Sequence, residues 1–208
     1  IGEVWEDASN KESYGVKRRY LLGDQLDSVM NYPFRSAIMN YVLGGSPFDF
    51  KNSIMTILEN YPKPSVDVLM NSISTHDIER AINILGGESC EGKSKDWMCS
   101  HWLTNEEFEL GRNRLKCAMA LQYFLPGVPC IYYGDEAGQQ GYKDPFNRRC
   151  YPWGKEDTQL IEYTKLLAKV RNSSKVFADG ALKFLYIDDN VISFARMKTH
   201  RQRAVIIF

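Results

Sequence analysis

Val66-Asp-Val-Leu-Met-Asn-Ser-Ile73 runs directly into Ser74-Thr-His-Asp-Ile-Glu-Arg80, and an apolar stretch then carries the chain to Gly86-Gly87. The first string is aliphatic and bounded by polar residues, which predicts a strand over 66–73. The segment 77–85 reads as a helix that the glycine pair stops. Between strand and helix stands a polar junction with a histidine and a carboxylate side by side. A strand that ends in such residues and hands over to a helix is the repeating unit of a parallel α/β fold.

The same unit recurs on both sides. Upstream, residues 1–5 read as a short strand, 6–25 as loop with irregular helix, and 26–31 as a second strand. Pro33 sits early in a helix that Gly44-Gly45 stops. Ser46-Pro47 opens another helix with Phe50, Ile54, Ile57, Leu58 and Tyr61 at helical spacing, and Pro62 and Pro64 end it. Downstream, 88–103 reads as a polar loop with Trp97 and Trp102. Thr104-Asn-Glu-Glu107 is a capping box for a helix to about Leu125. Residues 128–133 read as a fourth strand, 134–156 as a long loop rich in Gly, Pro and Arg, and 158–170 as a helix. Three strands follow, 181–186, 191–196 and 204–208, the first two joined at Asp188-Asp-Asn190. Alternating strands and helices imply a parallel sheet with crossover connections. The change to strands alone near residue 175 marks a domain boundary, with 1–175 before it and 176–208 after.

The 208 residues are 44% hydrophobic and 25% charged, which excludes a disordered chain. Lys plus Arg equals Asp plus Glu at 26 each, so the basic surplus of a nucleic-acid binder is missing. No apolar run approaches the roughly 20 residues that span a membrane. The five cysteines, 90, 99, 117, 130 and 150, are odd in number and show no metal spacing; reduced thiols are the main reading, and a Cys90–Cys99 loop disulfide the lesser one. Ile1 begins inside one strand-like run and Phe208 ends inside another, so the chain reads as an internal piece of a longer polypeptide.

In parallel α/β folds the active residues gather at the C-terminal strand ends. Here those ends deliver Glu3 and Trp5, Asn31 and Tyr32, His76 and Asp77, and Tyr132, Tyr133, Asp135 and Glu136. Carboxylates from separate strands, hydrogen-bonding groups and aromatic rings are what glycoside hydrolysis needs. A single strand-end carboxylate is more often a group that fixes a loop. Asp135 and Glu136 are read that way, Arg80 and Glu79 as ion-pair residues, Arg149 as a loop buttress, and His101 and His200 as surface residues.

Four strings add specificity: Gly2-Glu-Val-Trp5, Met30-Asn-Tyr-Pro-Phe34, Ser74-Thr-His-Asp-Ile-Glu-Arg80 and Gly127-Val-Pro-Cys-Ile-Tyr-Tyr-Gly-Asp-Glu136. In this order and spacing the chain resembles the α-amylase family of glycoside hydrolases, most like its neopullulanase and cyclomaltodextrinase branch. The resemblance implies the second half of a (β/α)8 barrel, strands five to eight, and then the start of a C-terminal antiparallel β-sandwich domain. It implies retaining hydrolysis or transglycosylation of α-1,4, with α-1,6 as a second linkage, in malto-oligosaccharides or related α-glucans. Glu3 would be the general acid/base and Asp77 the transition-state stabiliser. His76 would bind the same sugar, Trp5 and Tyr32 would line the aglycone side, and Asp144 with Arg148 would contact the donor-side sugar. No loop here demands a metal; a structural calcium ion is a feature of many family members, held largely by the other half of the barrel.

Thr75 stands where the family usually carries Asn or Ser. The family's nucleophilic Asp and its Arg partner come from strand four, which precedes the position of Glu3. The expectation is therefore that this chain alone is inactive and that its partner is the N-terminal half of the barrel. Relatives and unpaired cysteines suggest the cytoplasm. Other readings are an α-glucosidase or a sucrose- or trehalose-handling relative, a non-catalytic amylase-like barrel kept for protein assembly, and a starch-binding module. The assembly type loses the carboxylates that Glu3 and Asp77 supply here.

Overall fold

The computed structural model describes residues 1–189, 191–199 and 201–208. Asn190, expected in a turn, and His200 lie outside the described residues. In chain order the elements are β1 (Glu12–Ser13), β2 (Val16–Lys17), α1 (Tyr32–Val42), α2 (Pro47–Asn60), α3 (Lys63–Asp67), β3 (Met70–Asn71), α4 (Ala81–Gly86), α5 (Lys95–Ser100), α6 (Asn105–Phe124), β4 (Val128–Pro129), α7 (Thr158–Asn172), α8 (Val176–Asp179), β5 (Ala181–Ile187), β6 (Ile192–Met197) and β7 (Arg203–Ile207). Two 3-10 turns lie in the loop after β4, Asp135–Ala137 and Phe146–Arg148. Among the described residues no helix is long and apolar enough to cross a membrane.

The chain forms two compact units: Ile1–Ser72 with Leu121–Cys130 and Val170–Phe208, and Ile73–Ala120 with Ile131–Lys169. The first unit holds the parallel pairings. Gly2 bridges Val29, Met30 bridges Met70, and β3 pairs β4 in parallel. Four chain segments are thus neighbours in sequence order, as successive strand–helix units require. The ladder continues through Met30 N to Gly2 O (2.9 Å), Asn31 N to Met70 O (2.9 Å) and Cys130 N to Asn71 O (2.7 Å). Regular pairing is shorter than the sequence predicts. Residues 1–5 and 26–31 contribute single bridges, 66–73 retains two strand residues, and 128–133 retains two. Val66 and Asp67 belong to α3, because Ser65 N and Val66 N both bond to Pro62 O and wind that segment into a helical turn.

A buried amide network ties this sheet together. Asn31 donates to Asn71 Oδ1 (2.8 Å), Asn71 donates to Pro126 O (2.8 Å), and Gln122 donates to the carbonyls of Asn71 (2.9 Å) and Cys130 (2.8 Å). All three side chains are buried, so each bond satisfies a group that has no water to turn to. The helical caps follow the sequence: Asn31 accepts from Phe34 N and Ser46 from Asp49 N. Helices α1 and α2 pack through Tyr41 and Phe50, whose rings lie 5.2 Å apart. The three-stranded antiparallel sheet β5–β6–β7 belongs to the same unit, and Phe50 meets Phe184 of β5 edge-on. Arg196 of β6 is fully buried, and among the described residues it has no carboxylate in an ion pair with it. It donates instead to the carbonyls of Gly180, Phe124 and Phe177, and burial beside Arg171 pulls its guanidinium down to about 10. Residues 6–25 contain a small hairpin, β1–β2, where loop and irregular helix are expected. Tyr14 (φ 55°) and Gly15 (φ 71°) form its tight turn.

In the second unit α4 starts at Ala81, not at Asp77, and α5 occupies part of the expected 88–103 loop. The capping box of α6 is present and reciprocal: Thr104 N bonds to Glu107 Oε2 (2.8 Å) and Glu107 N to Thr104 Oγ1 (3.2 Å). Gly86 and Gly111 let α4 and α6 approach closely. A Cβ on Gly111 would stand 2.7 Å from the Ile82 carbonyl oxygen. All five cysteines are free thiols, so the Cys90–Cys99 disulfide does not form. Cys90 is buried, and burial beside Glu79 pushes its thiol up to about 11.

Candidate active site

In the first unit the pairing of Gly2 with residues 28–30 fixes where Glu3 stands. Gly2 N bonds to Ser28 O (2.9 Å), and a Cβ on Gly2 would meet Leu26 Cδ1 at 2.4 Å, so any larger residue here would have to turn the Leu26 side chain aside. Tyr32 opens α1 directly after its cap Asn31. Its hydroxyl donates to Glu3 Oε1 at 3.1 Å. Trp5 stacks on Tyr32 with ring centroids 4.2 Å apart and planes 10° from parallel. Tyr32 is buried, whereas Trp5 keeps 49% of its surface exposed. The result is an exposed carboxylate oriented by a phenol, beside an indole wall of the kind that stacks on sugar rings.

In the second unit His76 and Asp77 stand exposed on the turn before α4, and the loop after β4 supplies their partners. Arg148 Nη2 donates to Asp77 Oδ1 (3.1 Å), and Arg148 Nε faces Asp144 Oδ1 (2.8 Å) and the His76 carbonyl (3.0 Å). His76 Nε2 lies 3.4 Å from Asp77 Oδ2. Asp77 N bonds to Thr75 Oγ1 (3.3 Å), so the threonine found here caps the turn itself. His76, Asp77, Asp144 and Arg148, separated by up to 72 positions in sequence, form one connected group. Two carboxylates share one guanidinium on a solvent-facing surface, an arrangement suited to the vicinal hydroxyls of a sugar.

Two residues beneath this group, one unmarked in the sequence reading and one read only as an ion-pair residue, hold it in place. Asn147 is fully buried. Its amide donates to His76 O (2.7 Å) and Ile78 O (2.8 Å) and lies 3.4 Å from Thr75 O. These bonds hold the carbonyls that a helix starting at Asp77 would use, which is why α4 begins after Arg80. The signal was its place in Asp144-Pro-Phe-Asn-Arg-Arg149, next to a residue already singled out. Arg80 is also fully buried and pairs with Asp135 at 3.1 Å, as its ion-pair reading expects. It additionally donates to Asn147 O (2.9 Å) and lies 4.1 Å from the Tyr132 ring centroid. Burial pushes Asp135 up to about 6, against the pull of Arg80. Asp135 and Glu136 fix the loop: Glu136 Oε2 accepts from Gly134 N at 2.8 Å. Arg149 acts as a buttress, bonding to Cys99 O (2.6 Å). His101 is half-buried rather than a surface residue, stacked on Trp97 at 4.1 Å.

The sequence pattern described as "Alpha amylase, catalytic domain" matches residues 1–177. An amylopullulanase of Thermoanaerobacter thermohydrosulfuricus is 38% identical over 94% of this chain and 13% of its own length. A cyclomaltodextrinase of Geobacillus thermopakistaniensis is 30% identical over the whole chain and 30% of its own length. A solved cyclomaltodextrinase superimposes on 99% of this chain and 31% of its own, with a TM-score of 0.76 and 26% identity. The chain thus spans less than a third of the length of these relatives. It folds as the second half of a (β/α)8 barrel followed by the start of an antiparallel β-domain. The chain belongs to the α-amylase catalytic-domain family of glycoside hydrolases.

Proposed function

We propose that this chain supplies the acid/base and the transition-state stabiliser for retaining hydrolysis or transglycosylation of α-1,4, and secondarily α-1,6, glucosidic bonds in starch-derived oligosaccharides. The observation that carries the reading is the exposed Asp77 carboxylate, held by Arg148 together with Asp144. A stabiliser must meet sugar hydroxyls in a fixed orientation, and a guanidinium that bonds two carboxylates and a backbone carbonyl fixes it before substrate arrives. The names of the relatives, amylopullulanase and cyclomaltodextrinase, agree with an α-glucan substrate.

In this reading Glu3 protonates the departing glycosidic oxygen and then takes a proton from the incoming water or acceptor hydroxyl. The Tyr32 hydroxyl on Oε1 orients the carboxyl. Asp77 accepts hydrogen bonds from the hydroxyls of the distorted ring, His76 donates to the same sugar, and Trp5 stacks on the aglycone side. Asp144 and Arg148 meet the next donor-side sugar. Residues 1–175 furnish half of the catalytic barrel and 176–208 the beginning of the β-sandwich. The nucleophile comes from the other half, which is the required partner, so the isolated 208-residue chain is inert.

The test is turnover of maltoheptaose and β-cyclodextrin by the isolated chain and by the polypeptide that carries both barrel halves. The expected result is no turnover by the first, and turnover by the second that Glu3→Gln and Asp77→Asn each abolish. Turnover by the isolated chain, or a fully active Glu3→Gln variant, would overturn it.

A further inference from the structure

Val16-Lys-Arg-Arg-Tyr20 places three cations in succession directly after the turn between β1 and β2, in the first unit. The backbone there is pinned on both sides. Arg18 N bonds to Lys11 O (2.8 Å), and Leu26 N bonds to Tyr20 O (2.8 Å). A cavity of about 510 Å³ opens beside this segment, and Lys17, Arg18 and Arg19 all line it, together with Ser9, Asn10 and the last residue of α2, Asn60. That volume lies within the range of small-molecule sites. No aspartate or glutamate is among the described residues that line it.

The carboxylates nearby are committed elsewhere. Asp7 accepts from Ser9 N (2.9 Å), Ser9 Oγ (2.7 Å), Asn10 Nδ2 (3.4 Å) and Asn60 Nδ2 (2.6 Å). Glu6 pairs with Lys11 (2.6 Å). Glu12 stands opposite Lys17 in the hairpin register, yet among the described residues Lys17, Arg18 and Arg19 enter no ion pair. Half-buried Arg18 also has its Nε shut off from water without a hydrogen-bond partner. Other arginines of the same unit do not leave their nitrogens so. Arg171 donates to Gly127 O (2.6 Å), and Arg196 donates to three carbonyls. A guanidinium nitrogen buried without an acceptor costs free energy, and three like charges on successive residues repel one another. An oxyanion in the cavity relieves both.

The donor set narrows the anion. A guanidinium presents a planar fork that matches two oxygens of a phosphate, and an ammonium adds a point charge. Three positive charges exceed what one carboxylate neutralises and suit a phosphate dianion. We propose that Lys17, Arg18 and Arg19 form a binding site for a phosphate group, held as free inorganic phosphate or as the phosphoryl group of a sugar phosphate. The site goes beyond the α-glucan reading and does not depend on it.

The test is calorimetric titration of inorganic phosphate and of glucose-6-phosphate, at constant ionic strength, into the isolated chain and into the polypeptide that carries both barrel halves. Folding of each variant is checked by circular dichroism. Saturable binding is expected in both proteins. Arg18→Gln should weaken it at least tenfold, and Arg18→Lys, which keeps the charge without the fork, should recover only part of the loss. Lys17→Met and Arg19→Gln, at exposed positions, should each weaken it severalfold and decide the matter where Arg18→Gln does not fold. Lys169→Gln removes one exposed positive charge from α7 and should leave binding unchanged. Equal affinity for the two ligands assigns the site to phosphate itself, and tighter binding of glucose-6-phosphate assigns it to a sugar phosphate; both support the site. No binding to either protein overturns it. Equal weakening by Lys169→Gln and Arg18→Gln also overturns it, because the attraction is then diffuse. Binding by the isolated chain alone overturns it as well, since the other barrel half then occupies the three cations. The turnover assay decides the proposed function separately.

Discussion

Arg148 reaches the carboxylate of Asp77 across 3.1 Å, although 70 residues separate them in the chain. The same guanidinium meets Asp144 and the His76 carbonyl through Nε. Lysine at this position keeps the charge but has no planar fork to reach all three acceptors. Arg148→Lys in the two-halved enzyme is expected to lower kcat/KM on maltoheptaose by roughly 10- to 100-fold, the equivalent of about 1.5–3 kcal/mol for a charge-assisted hydrogen bond. An unchanged kcat/KM would separate Arg148 from the function of Asp77.

Asn147 holds the turn that presents His76 and Asp77 from below. Removing its amide leaves buried carbonyls without a donor, a cost of about 1–3 kcal/mol. Asn147→Ala should lower the urea midpoint accordingly. Asn147→Asp should lower it further, because a carboxylate oxygen would then face the His76 and Ile78 carbonyls. Equal midpoints for wild type and both variants would show that the turn stands without it.

Gly111 sets two opposing effects against each other. Alanine in a helix interior is favoured over glycine by about 1 kcal/mol. A Cβ here, however, would press on the backbone of Ile82, and overpacking of this kind costs about 1–3 kcal/mol. The steric cost dominates, since a carbonyl oxygen in α4 cannot rotate away as a side chain would. Thermal unfolding of Gly111→Ala should therefore occur at lower temperature than wild type, and a higher Tm would contradict the close contact of α4 and α6.

The buried pair Arg80–Asp135 makes stability depend on pH in a definite direction. Asp135 titrates at about 6 in the folded chain and near 4 when unfolded. Between those values the folded state binds more protons. The stability this group contributes is fully present below about pH 4 and is lost as pH rises through about 6. The expected loss is roughly 1–3 kcal/mol across that window. Asp135→Asn does not titrate, so the difference between its urea midpoint and that of wild type should change between pH 4 and pH 6.5. A constant difference would place the Asp135 titration outside this range.

What the sequence made legible were features written in local chemistry. The Thr104–Glu107 box, the Ser46 cap, the Gly86 stop and the antiparallel strands after residue 180 all stand where they are expected. In each unit a candidate has a partner that the strings themselves do not pair with it: Glu3 meets Tyr32, and Asp77 meets Arg148. What was not legible depends on contacts distant in sequence. The strand at 66–73 shortens because Pro62 accepts from the amides that begin α3. Helix α4 starts late because Asn147, nearly 70 residues away, takes the carbonyls of the preceding turn. Helix α5 was hidden in a polar stretch whose one local signal is Ser94, which caps it by accepting from Trp97 N. The burial of Arg80 has no signature in composition at all; it follows from Asp135, Asn147 and Tyr132 closing around one guanidinium.

The most direct measurement is the anomeric configuration of the sugar first released from maltoheptaose by the two-halved polypeptide, followed by proton NMR. A retaining mechanism with Glu3 as acid/base predicts that the α-anomer appears first, before mutarotation, and that Glu3→Gln releases none. The β-anomer appearing first, or release undiminished in Glu3→Gln, would contradict the account.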